Sequence, residues 1–211
     1  MDNSPRIPRI LLTAFDAYAD GGNIYRQNAS RLALEQLLLQ PLKDVSLETR
    51  IYPVEFGSIR QRVERDIAYG FDAVILTGQA PSSDFIRLEM QAKNIGRDPN
   101  GMSGEFPLAL DGLMAFDATI NWPEILREIS SGSGSRTALS NHAGDYLCNA
   151  ALYFAILAAE RRWKSGAGDF LTRVGFVHVP LAVSMPTETT AKALRKIVET
   201  FAAGFSASSI V

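Results

Sequence analysis

Cysteine is nearly absent from this chain: there is one in 211 residues, and only two histidines accompany it. A single thiol excludes an internal disulfide, and one cysteine with two histidines is too sparse a set for a zinc site. No metal and no cofactor are expected. Long apolar runs are missing too. None approaches the roughly 20 residues needed to cross a bilayer, and Met1-Asp2-Asn3-Ser4-Pro5-Arg6-Ile7-Pro8-Arg9 lacks the apolar centre of a signal peptide. The expectation is a cytoplasmic protein with no membrane partner. Charge of one sign is equally scarce. The 21 Lys and Arg nearly balance 23 Asp and Glu, for a net charge of −2, and the two signs are interspersed. There is no basic face to suggest nucleic acid. What remains is 46% hydrophobic and 21% charged, the balance of a globular chain, and its length suits one domain, 1–211, with a substantial core.

The pattern alternates strands and helices. Ile10 to Ala14 is a short apolar run that reads as a buried first strand, followed by a loop over Phe15 to Asn23 whose Asp20-Gly21-Gly22 demands turn geometry. Asn28 or Ser30 caps a helix over Arg31 to Leu39, which Pro41 ends. Val45 to Pro53 alternates as a strand, and Ser58 begins an amphipathic helix running to about Ala68. Phe71 to Gly78 is a central strand ending at a loop, the kind of place where open α/β sheets bind ligands. Phe85 to Asn94 alternates strictly. Ile86, Leu88, Met90 and Ala92 share one face; Arg87, Glu89, Gln91 and Lys93 share the other. On that pattern Glu89 is expected to be a solvated carboxylate on a half-exposed strand.

Ile95 to Gly112 reads as a long irregular loop, Leu113 to Ile120 as an extended segment, and Asn121 to Ile129 as a helix with Pro123 in its first turn. Ser130 to Ser135 is a flexible connection. After the β-prone Thr137-Ala138-Leu139, a helix starts near Cys148 and is apolar nearly all round to Ala159, so it should be buried; its reach is to Lys164. Arg173 to Pro180 is another buried strand, and Thr187 to Phe205 a final amphipathic helix. The order implies an α/β fold: a three-layer α/β/α sandwich with a mixed, mostly parallel central sheet, Phe85 to Asn94 being the antiparallel member.

Three polar residues fall where chemistry is feasible: Glu89 on a strand, Cys148 at a helix start and His178 late in a strand. The partial positive charge of a helix N-terminus favours thiolate over thiol, although free cysteine is also a common buried packing residue. Thiol catalysis needs an imidazole to carry the proton and a third group to orient it. His142 precedes the cysteine in a turn; His178 is embedded among apolar residues. Composition and spacing leave that choice open.

Motifs now carry a resemblance. Ser140-Asn141-His142-Ala143-Gly144-Asp145-Tyr146-Leu147-Cys148-Asn149 is similar to the S-N-D-A-G-T-Y/F-V-C-N nucleophile motif of the pyroglutamyl peptidase I (pyrrolidone-carboxylate peptidase) family of cysteine peptidases. Gly175-Phe176-Val177-His178-Val179-Pro180 resembles its G-F-I-H-V-P motif. Gly78-Gln79-Ala80-Pro81, then Glu89, Ala92 and Asn94, match the spacing of its G-x-A-x-G-R…E-R-V-A-x-N segment. The first strand with its Gly-Gly loop, Asn28-Ala29-Ser30 and Ser184-Met185-Pro186 resemble further short motifs, so the likeness runs along nearly the whole chain. It implies an exopeptidase that removes N-terminal pyroglutamyl residues from small peptides through an acyl-enzyme, with Cys148 as nucleophile, His178 as base and acid, and Glu89 orienting the imidazole. Phe15, Tyr18, Gln79, Tyr146 and Leu147 would line or approach the substrate pocket, with Arg97 the nearest match to an arginine that the family brings to the site. Homodimers or homotetramers are implied by the same resemblance.

This sequence departs from the family pattern at several places near the substrate. Ser83 stands for an arginine, Met90 for another, Ala29 for a proline, Ala14 for a glycine and His142 for an aspartate, and Ala19-Asp20 interrupts the first loop. None touches the three candidate catalytic residues. Two other functions therefore stay beside the first: a binding or regulatory homologue with weakened turnover, and a cysteine amidohydrolase of another blocked or cyclic amide.

Overall fold

The computed structural model describes residues 6–20, 23–97, 104–130 and 135–208. The Gly21-Gly22 turn, the middle of the 95–112 loop and Ser131 to Gly134 of the flexible connection lie outside the described residues.

Six strands form the central sheet. In chain order they are β1 (Arg9–Phe15), β4 (Ser46–Tyr52), β5 (Ala73–Gln79), β6 (Ile86–Glu89), β11 (Thr137–Ser140) and β12 (Arg173–Val179). The intervening numbers belong to short strands: the hairpin β2 (Tyr18–Asp20) and β3 (Asn23–Tyr25), then β7 (Gln91–Lys93), β8 (Gly96–Arg97), β9 (Glu105–Phe106) and β10 (Ala115–Asp117). Across the main sheet the order is β11-β6-β12-β5-β1-β4. β4, β1, β5 and β12 run parallel to one another; β6 runs against β12, and β11 pairs parallel with β6. The sheet is mixed and mostly parallel, as the element order implied.

Alternation along the strands distributes side chains to two cores. Ile10, Leu12, Ala73, Ile75, Ile86, Leu88, Val177 and Val179 face one layer, with α1 (Ala29–Leu37), α3 (Trp122–Ile129) and α5 (Thr187–Ser208). Leu11, Val74, Leu76, Val174 and Phe176 face the other, with α2 (Phe56–Ala68) and α4 (Leu147–Lys164). α4 is buried along most of its length, which is why it is apolar nearly all round.

Several boundaries differ from the sequence reading. The segment 15–23 is not only loop, because Tyr18 stacks on Tyr25 at 4.7 Å between centroids and the hairpin forms around them. Asn28 is the N-cap of α1, its side chain accepting from the Ser30 N–H, and the helix stops at Leu37, leaving Leu38 and Leu39 exposed. α2 begins at Phe56 rather than Ser58. The largest correction concerns Phe85 to Asn94, which is two strands. At Met90 the chain leaves the main sheet: the Met90 N–H donates to the Ser140 carbonyl, while the Met90 carbonyl accepts from Ala118 N–H. β7 then pairs with β10 in a separate ribbon. No helix among the described residues is long and apolar enough to cross a membrane.

Candidate active site

The sheet register brings the site together. His178 pairs with Gly78 on one side and with Arg87 on the other. Neighbouring strands lie about 4.8 Å apart, so Arg87, His178 and Gly78 form a row across three strands, on the face toward α4. Glu89 lies two residues along β6 from Arg87 and therefore shares that face, opposite Phe176. Cys148 enters from above, as the second residue of α4. Its sulfur is so close to Gly78 that an added Cβ there would come within 2.9 Å of Sγ and 2.8 Å of the Phe176 ring. Only glycine lets the helix start settle onto the sheet at this point.

Glu89 is 0% exposed, so the expectation of a solvated carboxylate is wrong. The alternation was read correctly, but the polar face of β6 is roofed by the Cys148 segment instead of water. The His178 Nδ1–H donates to Glu89 Oε1 at 2.7 Å. Burial pushes the Glu89 carboxyl upward, but the hydrogen bond and charge of His178, with help from Ser140 and Arg87, outweigh it and hold the group below its ordinary value. An ionised carboxylate can only accept, so the neutral imidazole carries its proton on Nδ1 and presents a basic Nε2. Burial dominates at His178 as well, lowering its pKa below 6.5 despite the attraction of Glu89. Burial pushes the Cys148 thiol up to about 12, and the Glu89 charge adds to the rise while Arg87 opposes it. One helix end contributes about 1 kcal/mol at most sites, too little to reverse this. These shifts favour a neutral thiol and a neutral imidazole in the wall of the site over the thiolate that the helix start alone suggested.

Two supports were not visible in the sequence. Asn149 locks the first turn of α4 to the β7 strand: its Oδ1 accepts from Lys93 N–H, and its Nδ2 donates to the carbonyls of Lys93 and Ile95. Trp122 Nε1–H donates to the Glu89 carbonyl at 3.0 Å, so the strand carrying the carboxylate is tied from the opposite layer. Tyr146 supplies no side-chain cap to α4, which leaves the first backbone N–H groups of the helix without intrahelical partners.

A cavity of about 300 Å³ opens over this row, lined by Phe15, Tyr18, Asn28, Val54, Gln79, Arg87, His142, Tyr146, Leu147, Cys148 and His178 among others. Phe15, Tyr18, Gln79, Tyr146 and Leu147 thus line it together. Gln79 is fixed at both ends, accepting from Ala29 N–H at 2.7 Å and donating to Tyr18 OH at 3.3 Å. Arg97 does not line the cavity. It is drawn to Asp145 at 2.5 Å and to Glu105 at 3.4 Å, behind the wall that Asp145 contributes. His142 is exposed at the rim, whereas Arg87, which the sequence reading left on a solvated face, is part of the lining. Among the described residues no group of three or more His, Cys, Asp or Glu side chains could hold a metal ion.

Comparison with known proteins gives a consistent result. The family model described as "Pyroglutamyl peptidase" matches residues 8–209. The pyrrolidone-carboxylate peptidase of Thermococcus onnurineus is 30% identical over 207 residues, covering 91% of this chain and 98% of that one. That of Thermococcus kodakarensis is 34% identical over 136 residues, 62% of this chain and 63% of that relative. Among solved structures, pyroglutamyl peptidase I from Bacillus amyloliquefaciens superposes with a TM-score of 0.80 at 24% identity, over 93% of this chain and 96% of that one. At that identity the superposition speaks for the fold.

Proposed function

This chain belongs to the pyroglutamyl peptidase family of cysteine peptidases, and from that premise we propose that it removes N-terminal pyroglutamyl residues from peptides by means of Cys148, His178 and Glu89. The observation that carries this reading is that a lone thiol and a carboxylate-bound imidazole line one cavity, the sulfur resting against Gly78, the strand partner of His178.

The chemistry follows from the protonation states. Nε2 of His178 takes the thiol proton as Sγ attacks the pyroglutamyl carbonyl carbon, forming the C–S bond and placing negative charge on the carbonyl oxygen. The first N–H groups of α4, which have no intrahelical acceptor, donate to that oxygen. As the intermediate collapses the C–N bond breaks, and the imidazolium returns its proton to the departing amine. Water then attacks the thioester with His178 as base, which breaks the C–S bond and frees pyroglutamate. Glu89 is charged throughout; it holds the ring in the productive tautomer and offsets the transient imidazolium. Starting from a neutral pair means that charge develops only during attack, in a site built to receive it.

Pyroglutamate is a small neutral lactam. The aromatic and aliphatic lining of Phe15, Tyr18, Val54, Tyr146 and Leu147 suits its ring, and the fixed amide of Gln79 offers polar contact. Among the described residues no free carboxylate is present there to bind an ammonium, since Glu89 is engaged by His178 and Asp145 by Arg97. In this reading residues 1–211 act as one domain.

The test is release of a fluorescent amine from a pyroglutamyl amide in reducing buffer. Turnover is expected, with complete loss after thiol alkylation and no cleavage of the matching glutaminyl amide, whose free ammonium the cavity cannot pair. A reduced protein inert toward pyroglutamyl amides would remove the proposal. A second expectation concerns Gly78. Gly78→Ala should lower kcat about 100-fold, because a displacement near 1 Å at the sulfur is costly, and should lower stability by about 1–3 kcal/mol through overpacking. Thermal melting and steady-state kinetics on the same preparation check both.

A further inference from the structure

Arg87 has no part in the reaction just described, yet it lines the cavity. We propose that Arg87 is a substrate-binding residue on the leaving-group side of the site, selecting peptides that carry a carboxylate immediately beyond the scissile bond. The inference rests on the pyroglutamyl peptidase reading and adds to it a substrate class, short pyroglutamyl peptides ending in, or followed by, an acidic group.

The geometry decides which half of the substrate Arg87 meets. Phe15 ends β1, Gln79 ends β5, and Tyr18 is bonded to Gln79; this aromatic half takes the lactam. Cys148 sits over Gly78 on β5, His178 is one strand further, and Arg87 is one strand beyond that. The imidazole must reach the departing nitrogen to protonate it. The residue attached to that nitrogen therefore continues past His178 toward β6. An α-carboxylate lies only two carbon atoms from this nitrogen, and an Asp or Glu carboxylate a few atoms further. Both fall within the span of an arginine on the neighbouring strand.

The bonding of Arg87 points the same way. Among the described residues its one ion pair is to Glu89 Oε1, through Nε at 3.5 Å, and that buried Nε makes no hydrogen bond. Charge-assisted bonds of this type are ordinarily near 2.7–2.9 Å. The same carboxylate oxygen already accepts from His178. A guanidinium has five donors suited to a planar carboxylate, and among the described residues Nε of Arg87 is buried without a hydrogen bond and its contact with Glu89 is a long 3.5 Å. A residue serving only to balance Glu89 would be expected to grip it in two places. Other charges at the cavity have partners, since Asp145 pairs with Arg97.

The experiment compares pyroglutamyl-alanine with pyroglutamyl-alaninamide, which differ only in the terminal carboxylate. Wild-type protein is expected to favour the acid by about tenfold in kcat/KM, mostly through KM, as a hydrogen bond to a charged group would give. In Arg87→Met the ratio should fall to about one or below, and in Arg87→Lys it should be partly retained. The ratio is taken within each variant, so a general loss of folding or turnover cancels. Equal use of both substrates by wild type overturns the inference, as does an unchanged preference in Arg87→Met. Loss of the preference in His142→Ala but not in Arg87→Met would overturn it too, by moving recognition to the rim histidine. Turnover of a fluorescent pyroglutamyl amide is followed in parallel: failure there rejects the peptidase reading and the inference with it, whereas turnover without carboxylate preference rejects the inference alone.

Discussion

Cys148→Ala should abolish hydrolysis of a pyroglutamyl amide, lowering kcat by about 10⁵-fold or more, on the scale seen when a protease nucleophile is deleted. The chain has no second thiol to substitute. Alanine has the best intrinsic helix propensity, and the change removes one sulfur from a helix start already anchored by Asn149 and its bonds to Lys93 and Ile95. Melting temperature should therefore move little while activity vanishes. Steady-state assay and thermal unfolding on the same sample separate the two effects, and residual turnover above about 1% of wild type would show that the thiol is not the nucleophile. Serine is the less informative replacement, because it retains an oxygen nucleophile beside the same imidazole.

His178→Ala should lower kcat by about 10³- to 10⁴-fold, the upper range for general acid–base catalysis. The loss should be coupled to Glu89. Once the imidazole is gone the carboxylate has nothing to orient, so adding Glu89→Gln to His178→Ala should cost little further activity, although Glu89→Gln alone is costly. The single His178→Ala variant should also be less stable than the double one, since it leaves a buried carboxylate without its hydrogen-bond donor, and Glu89 Oε2 is already unpartnered. Turnover needs neutral His178, and burial depresses that pKa below 6.5. The acid limb of kcat/KM should therefore lie below pH 6.5, with activity level through neutrality. Glu89→Gln removes the charge that favours imidazolium, so it should move the limb lower still. Stability follows the same direction. The fold resists protonating His178, so stability should fall as pH drops below 6.5 toward the folded value. Glu89, also depressed, adds stability above its unfolded pKa that is lost as pH falls through the folded one. A limb above pH 6.5 would contradict the buried, neutral imidazole.

Much of this was legible in the residues. The burial of β5, β12 and α4 follows from apolar runs that need no partner to be recognised, and the mixed sheet follows from their order. The cysteine, histidine and glutamate were picked out by motif likeness. The physical reading alone placed Glu89 in water, because period-two alternation reports that two faces differ and says nothing about what covers the polar one. The split at Met90 was hidden for a related reason: alternation runs unbroken through Phe85 to Asn94, and it is divided only where the Met90 N–H donates to Ser140 while the Met90 carbonyl accepts from Ala118. Arg97 was aligned toward the site by proximity in sequence, but a nearer carboxylate, Asp145, holds it outside the cavity lining.

The segment around Cys148 shows where the division lies. Sequence determined that a lone thiol would begin a buried helix, after a Gly-containing turn, because local composition and hydrophobic pattern depend on neighbours in the chain. Tertiary structure decided its partner and its charge. Strand register set His178 between Gly78 and Arg87, the absent Cβ of Gly78 admitted the sulfur, and burial made the resting thiol neutral. Register and desolvation are properties of segments about thirty to a hundred residues apart in the chain meeting in space, spans over which loop-closure cost constrains little about the final geometry. No local pattern encodes them.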